Sequence, residues 1–242
     1  MKQRIRAAFA HGQIPTIACI NKAKTPLGVD FDKLIKALQK FADECFTPVW
    51  GTPARLVKAT KVPKGAWAIV FLENADAQKA LGYHDVTKEG LPLSKVFVKT
   101  TLDDGEKVSV TACHELCEML VDPAINLCAD GPDGIIYSYE TADAVEELEF
   151  LVNGIAMSDF VYPSWFEDFH KRGSTQFDYL NKVTRPFQIL PGGYMQVFKR
   201  GKWTEIHGSA AKAKRKTKQD RRGHRVKLRG KHVSKWKIST AT

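Results

Sequence analysis

One histidine and two glutamates lie within five consecutive residues near the middle of this 242-residue chain, and all three side chains can bind a metal ion or move a proton. The segment reads His114-Glu115-Leu116-Cys117-Glu118, a HExxE pattern. Residues four apart lie on the same side of an α-helix, so in a helix His114 and Glu118 project together and Glu115 lies one step round from His114. Imidazole and carboxylate groups both bind divalent ions. The spacing therefore predicts a metal site on one helical turn, with a carboxylate beside it.

The residues around the motif favour the helix that it requires. From Val110 to Pro123 the apolar side chains recur at helical spacing, Thr111 can cap the start, and Asp122-Pro123 ends the run. Hydrolases with the pattern HExxH place two zinc-binding histidines on one helix face, and Glu118 stands where the second histidine would be. Carboxylates are harder ligands than imidazole, so this difference weakens the preference for zinc and lets manganese or calcium compete.

Composition limits the class of protein. A hydrophobic content of 43% and an aromatic content of 10% are ordinary for a globular chain that buries a substantial core. The five cysteines are an odd number and lack the spacing of a disulfide framework, which favours a cytoplasmic or virion-associated setting. No apolar run is long enough for a signal peptide or a membrane span.

The hydrophobic pattern predicts an α/β (α+β) fold with a mixed sheet. Residues 1–12 are expected to form an N-terminal arm, residues 13–207 one domain, and residues 208–242 an extended basic tail. We expect a second helix over Phe31–Phe46, ended by Pro48, and a loop at Gly82–Asp85. Strands are predicted at Ile14–Ile20, Ala54–Ala59, Trp67–Glu73, Ser94–Thr101, Ile135–Glu140 and Phe150–Phe160, with a hairpin of Met195–Phe198 and Trp203–Ile206.

Several blocks of this sequence, taken together and in order, resemble those of a known family. HELCEMLVDP follows GYHDVTKEGLPLSKVFV and precedes YETADAVEE, SDFVYPSWF and PGGYMQVF, and FADECFTPVWG lies upstream. Over roughly residues 41–206 the chain thus resembles a family of uncharacterised zincin-like proteins of bacteria and their phages. The resemblance implies a metalloprotease-type domain in which a helix packs on a mixed sheet and the HExxE helix crosses beneath it.

The resemblance also implies a ligand set. The HExxE motif and a downstream ExxD block fall on His114, Glu115, Glu118, Glu140 and Asp143. His114 and Glu118 are expected to bind the ion, and either Glu140 or Asp143 to supply a third ligand, leaving the fourth position to water as in catalytic sites. Glu115 is expected to act as general base on that water. Three side chains are candidates for stabilising an oxyanion, and the sequence does not choose among them: Tyr139, Tyr162 and His170.

Simpler interpretations of these residues remain open. HELCE can be a helical turn in which a histidine merely contacts a glutamate. Cys113, Cys117 and Cys128 offer a rival set of metal ligands, although the first two share the face of apolar residues and are better explained as core thiols. His84 in GYHD can line the site or lie in a loop, and we favour the loop.

The C-terminal tail carries the excess positive charge of the chain. Residues 208–242 contain 13 Lys/Arg and one acid, whereas residues 1–207 contain 24 Lys/Arg and 26 Asp/Glu. Such a segment binds polyanions by releasing their counterions, with little sequence readout. Nucleic acid is the predicted partner, and an acidic protein or membrane surface comes second. The contacting residues are predicted to be Lys212, Lys214, Arg215, Lys216, Lys218, Arg221, Arg222, Arg225, Lys227, Arg229 and Lys231.

Two functions follow from these observations. The first is a metal-dependent hydrolase, metallopeptidase-like, that uses zinc or another divalent metal and carries a nucleic-acid-binding tail. The second is a non-catalytic structural component of a phage virion, in which the fold packs against neighbouring virion subunits. An enzyme requires an open cleft at His114, and the sequence alone leaves the choice open.

Overall fold

The computed structural model describes residues 14–76 and 80–208. The predicted N-terminal arm and the predicted basic residues from Lys212 onward lie outside the described residues. Within the described ranges the chain forms one five-stranded sheet, one four-stranded sheet and one two-stranded hairpin, together with several helices. The mixed α/β composition predicted from the sequence is confirmed. No helix in these ranges is long and apolar enough to cross a membrane.

The five-stranded sheet occupies the N-terminal half. Its order is β2-β1-β3-β5-β4, with β4 antiparallel to β5 and the other neighbours parallel. The predicted loop at Gly82–Asp85 is wrong, because these residues form strand β4. The predicted strand Ser94–Thr101 begins earlier and turns into a helix at Val98. The strands are β1 (Thr16–Asn21), β2 (Arg55–Lys58), β3 (Trp67–Leu72), β4 (Gly82–Val86) and β5 (Pro92–Phe97).

Helix α1 (Phe31–Phe41) begins where Asp30 accepts a hydrogen bond from the Lys33 backbone nitrogen at 2.9 Å. Its apolar face packs on the sheet, and the chain continues through a π-helical turn, Ala42–Phe46, into the short helix α2 (Thr47–Trp50). The predicted end of the helix at Pro48 is wrong. This proline lies in the first turn of α2, where its missing N–H group is not needed.

Helix α4 (Val108–Val121) carries the HExxE residues and follows the short helix α3 (Val98–Asp103). It contacts β4, β5 and the later strand Ile155–Ser158, and every one of its residues is buried. The helix begins before the predicted position, so Thr111 lies inside it, and Lys107 at its start gives no side-chain cap. Enclosure on all sides explains why polar residues of α4 must find their partners within the protein.

The C-terminal half contains the two smaller sheets. The predicted strand Phe150–Phe160 is wrong, because Asn153 and Gly154 adopt positive φ angles of 51° and 76° and turn the chain into a hairpin. The predicted hairpin near Arg200 is confirmed. The four-stranded sheet has the order β11-β10-β7-β6. The strands are β6 (Cys128–Asp130), β7 (Ile136–Ser138), β8 (Glu149–Val152), β9 (Ile155–Ser158), β10 (Tyr194–Lys199) and β11 (Lys202–His207).

Two main apolar clusters stabilise these halves, beside a small one of Ala80, Tyr83 and Phe97. The larger lies between α1, the five-stranded sheet, α4 and the β8–β9 hairpin, and the smaller surrounds Trp165. Trp50 and Tyr139 contact both clusters, and the Trp50 indole donates a hydrogen bond to the Val161 carbonyl at 3.0 Å. These contacts fix α4 relative to the segments that follow it.

Candidate metal centre

His114 and Glu118 face each other one turn apart on α4. The Nε2 atom of His114 lies 2.9 Å from the Oε1 atom of Glu118, and the two side chains are 1% and 0% exposed. The spacing predicts that they project together, and the structure places them so. Because α4 is enclosed on all sides, they point into the protein and not toward bulk water.

Asp143 approaches this pair from a short 3-10 helix, Asp143–Val145. Its Oδ1 atom lies 3.1 Å from the same Nε2 atom of His114. The segment is held by a backbone hydrogen bond from Leu190 to the Ala144 carbonyl at 3.0 Å. A side chain at Gly193 would lie 2.5 Å from that carbonyl oxygen, so the chain before β10 packs directly against the segment that carries Asp143. His114, Glu118 and Asp143 each offer a ligand atom within 4.8 Å of the others.

His84 is the member of the site that the sequence interpretation placed elsewhere. It lies on β4 opposite Ser94 of β5, buried beneath α4, and not in a loop. Its Nδ1 atom lies 3.5 Å from Oε2 of Glu118 and 3.8 Å from Oε2 of Glu115. The missed signal was a hairpin: two strand-like runs, GYHDV and PLSKVF, flank a short polar turn that contains Gly90 at a φ angle of 82°.

Glu115 lies on the β4 side of α4. A Cβ atom added at Gly82 would lie 2.9 Å from its Oε1 atom, so β4 approaches this carboxylate at a position without a side chain. The Ser94 hydroxyl donates to the Glu115 backbone carbonyl at 3.3 Å, which ties the helix to β5. His84, Glu115 and Glu118 form a second set with ligand atoms within 4.8 Å of one another. The two sets share Glu118.

Glu140 lies on the other side of the His84 ring. Its Oε2 atom is 3.9 Å from Nε2 of His84, whereas Glu115 and Glu118 face Nδ1. The structure thus separates the two predicted third ligands: Asp143 lies beside His114, and Glu140 lies beside His84. Burial by itself lowers the pKa of His84, but the nearby carboxylates of Glu140, Glu115 and Glu118 outweigh it and raise the pKa to about 10.

These side chains have the chemistry of a metal site. Imidazole nitrogens and carboxylate oxygens together suit zinc, manganese and related divalent ions. Both ring nitrogens of His84 are buried and make no hydrogen bond, and their distances to the carboxylates exceed ordinary hydrogen-bond lengths. Buried polar atoms are normally hydrogen-bonded or bound to a metal. The buried histidines and acids of this cluster could therefore hold a metal ion.

The other candidate side chains lie in different surroundings. Cys113 and Cys117 are fully buried in the larger apolar cluster, and burial, followed by Cys113, raises the pKa of the Cys117 thiol. A protonated thiol is a poor metal ligand. Cys128 lies on β6, Tyr139 stacks on Phe166, and His170 contacts Glu167 at 2.8 Å.

Comparison with known proteins adds no relative. No family model matches the sequence, and no curated protein and no solved structure matches the chain. The likeness to zincin-like proteins therefore remains a prediction from the sequence, and the function must be inferred from the cluster itself.

Proposed function

We propose that this protein is a metal-dependent hydrolase of the metallopeptidase type, with zinc or another divalent ion bound by His114, Glu118 and Asp143. One observation carries the proposal. Two segments that are distant in sequence, α4 and the 3-10 helix at Asp143, bring Oε1 of Glu118 and Oδ1 of Asp143 to 2.9 and 3.1 Å from Nε2 of His114.

The spacing of these atoms fits a shared ion. Two ligand atoms that each lie about 2.1 Å from a tetrahedral ion are about 3.4 Å apart. The two separations around His114 fall slightly below this value, and a small outward movement of the carboxylates would admit an ion. A divalent ion would also offset the repulsion between the buried negative charges of Glu118 and Asp143.

The ion, Glu115 and His84 would have distinct roles in hydrolysis. A divalent ion supplies Lewis acidity, which polarises a carbonyl and lowers the pKa of bound water to about 7. Glu115 would accept a proton from that water and return it to the leaving amine. His84, whose Nδ1 atom lies 3.8 Å from Oε2 of Glu115, would hold that carboxylate in position.

The test combines metal analysis with an assay on the purified full-length chain. We expect stoichiometric metal and metal-dependent cleavage of a mixed peptide substrate. Glu115→Gln should lower kcat at least about 100-fold while the ion at His114 remains, and His170→Gln should change neither. The proposal fails if the protein holds no stoichiometric metal and His114→Ala alters neither stability nor cleavage.

A second candidate function is a structural metal site in a non-catalytic protein, as a virion component would be. The observation that favours it is burial: His84, His114, Glu115, Glu118, Glu140 and Asp143 are at most 1% exposed, whereas catalytic zinc sites keep an open position. In this case the ion joins α4 to the Asp143 segment. Metal removal would then destabilise the fold, and no substrate would be turned over.

We further propose that the basic tail binds nucleic acid, as its charge predicts. Binding of the full chain to a DNA or RNA duplex should weaken at least about tenfold between 50 and 200 mM salt. A chain that ends at Gly208 should lose this binding and keep its metal content. Binding that survives this truncation would remove the tail's assigned role.

A further inference from the structure

We propose that His84, Glu115 and Glu118 bind a second divalent metal ion, so that Glu118 bridges a two-metal centre. The inference rests on the proposed ion at His114 and extends it. Nothing in the HExxE spacing predicts it, because His84 comes from β4, about thirty residues before the motif.

Glu118 has the geometry of a bridging ligand. Its Oε1 atom lies 2.9 Å from Nε2 of His114, and its Oε2 atom lies 3.5 Å from Nδ1 of His84. The two oxygens of one carboxylate thus face two different imidazoles. In two-metal hydrolases the ions lie about 3.5–4 Å apart, a separation that a single carboxylate spans when each of its oxygens binds one ion.

His84 has the environment of a metal ligand and not of a hydrogen-bonded core histidine. Its side chain is 1% exposed, yet its Nδ1 atom lies 3.5 and 3.8 Å from the carboxylates of Glu118 and Glu115. These distances are long for hydrogen bonds. They are close to the separation of about 3.4 Å between two ligands of one tetrahedral zinc ion.

Glu140 faces the His84 ring nitrogen that points away from the proposed second ion. Metal-binding histidines usually donate their second ring N–H to a carboxylate, which fixes the tautomer and the ring orientation. The Oε2 atom of Glu140 lies 3.9 Å from Nε2 of His84, on the side away from Glu115 and Glu118. This distance is longer than a hydrogen bond, so Glu140 would orient the ring through its charge on the Nε2 side and leave Nδ1 to bind the ion.

The backbone around His84, Glu115 and Glu118 brings β4, β5 and α4 close together at the proposed second ion. Gly82 lets β4 pass within contact distance of Glu115, and Ser94, which is paired with His84 across the sheet, hydrogen-bonds to the backbone of Glu115. Glu115 then becomes a ligand of the second ion and no longer the general base. In two-metal sites the ions themselves activate water, so hydrolysis does not require a protein carboxylate for that step.

Manganese is the probe of choice, because it suits sites rich in carboxylates and its paramagnetism reports on neighbouring ions. The full-length chain is freed of metal with a chelator, loaded with Mn²⁺ and passed over a desalting column, and bound ions are counted by elemental analysis. Low-temperature electron paramagnetic resonance then distinguishes a coupled manganese pair from two isolated ions, including any held by histidines of the tail. The same measurements are made on His84→Gln, Glu115→Gln and the control His170→Gln.

The inference predicts two ions per chain with a coupled spectrum in the wild type and in His170→Gln. It predicts one ion with an isolated spectrum in His84→Gln and Glu115→Gln. One ion in the wild type, or two uncoupled ions, overturns the inference and leaves the proposed single-metal hydrolase intact. Absence of bound metal overturns both. If His84→Gln does not fold, the wild-type count and the Glu115→Gln protein decide the question.

Discussion

The protein buries acidic side chains in two regions and accommodates them in different ways. Asp178 accepts hydrogen bonds from the backbone nitrogens of Lys182 and Val183, at 2.9 and 2.8 Å, and Asp159 accepts them from Phe160 and Leu180, at 2.8 and 3.2 Å. Burial and the neighbouring Asp178 raise the pKa of Asp159 to about 8, so a proton relieves the repulsion. Backbone N–H groups and a proton between the two carboxyl groups thus stabilise this pair within the protein.

The acids around α4 are arranged differently. Glu115, Glu118 and Asp143 lie around the rings of His84 and His114, in sets whose atoms are within 4.8 Å of one another. Both regions are buried, so burial alone does not mark a functional site. The difference lies in the groups that the carboxylates face: backbone N–H groups hold the aspartate pair in place, whereas imidazoles provide a mixed nitrogen and oxygen donor set for an ion.

Replacing Glu118 should have the largest effect, because both ligand sets contain it. In Glu118→Gln we expect the metal affinity of each site to fall at least about tenfold. The loss of bound metal is measured by elemental analysis after dialysis. Cys117→Ala, one residue earlier on the same buried helix, should retain the wild-type metal content. If Glu118→Gln binds metal like the wild type, or if Cys117→Ala loses its metal, the acids around α4 do not differ from the aspartate pair in the way described.

Metal removal should destabilise the whole domain. An ion present at 100 times its Kd stabilises the folded state by about 2.7 kcal/mol, which for a chain of this size corresponds to a Tm increase of roughly 5–10 °C. Thermal unfolding of the metal-free protein, before and after the ion is added back, measures this shift. Adding the ion should raise the Tm of Asp159→Asn by as much as the Tm of the wild type. It should leave the Tm of Glu118→Gln unchanged.

Gly82→Ala tests the close approach of β4 to α4. The new methyl group would lie 2.9 Å from Oε1 of Glu115, from the Lys95 carbonyl and from a methyl group of Thr111. The backbone carbonyl cannot easily move, so we expect roughly 1–3 kcal/mol of destabilisation, measured by urea unfolding. Metal binding by His84 and Glu115 should weaken, while one ion remains at His114. Unchanged stability would show that β4 can shift freely.

Asp159→Asn should have the smallest effect on metal binding, and its effect on stability should depend on pH. Because the pKa of Asp159 in the folded protein is raised from 3.8 to about 8, its protonated form contributes stability that is complete below about pH 4 and is lost as pH rises through 8. Asparagine keeps the accepting oxygen and cannot ionise. We expect the variant to match the wild type near pH 4 and to exceed its stability by at least about 1 kcal/mol at pH 9.

The control for this prediction is Asp130→Asn, at an exposed position on β6. It should give the same small change in the free energy of unfolding at both pH values. If the difference between Asp159→Asn and the wild type is independent of pH, the aspartate pair does not share a proton as described.

Local spacing was sufficient to place part of the candidate site. A separation of four residues brings His114 and Glu118 together in any α-helix, so their pairing required only that α4 be a helix. The same reason explains the hairpin at Arg200, whose turn lies between two short alternating runs. Both features depend on residues that are close in sequence.

Contacts between distant segments determined the rest. His84 joins the cluster only because β4 pairs with β5 beneath α4, and a single sequence does not show which strand lies there. The choice between Glu140 and Asp143 depended on how the loop before β8 is held by the chain near Gly193. The wrong boundaries at Pro48 and Asn153 have a local cause, because proline is tolerated in a first helical turn and asparagine adopts positive φ.

The complete enclosure of α4 has a consequence for how the chain is made. The β8–β9 hairpin that covers one side of the helix leaves the ribosome after the helix does. Until then this apolar segment stays open to chaperones and to other nascent chains. Mutations that delay closure of the hairpin should therefore lower the yield of folded protein in cells before they alter any property of the finished molecule.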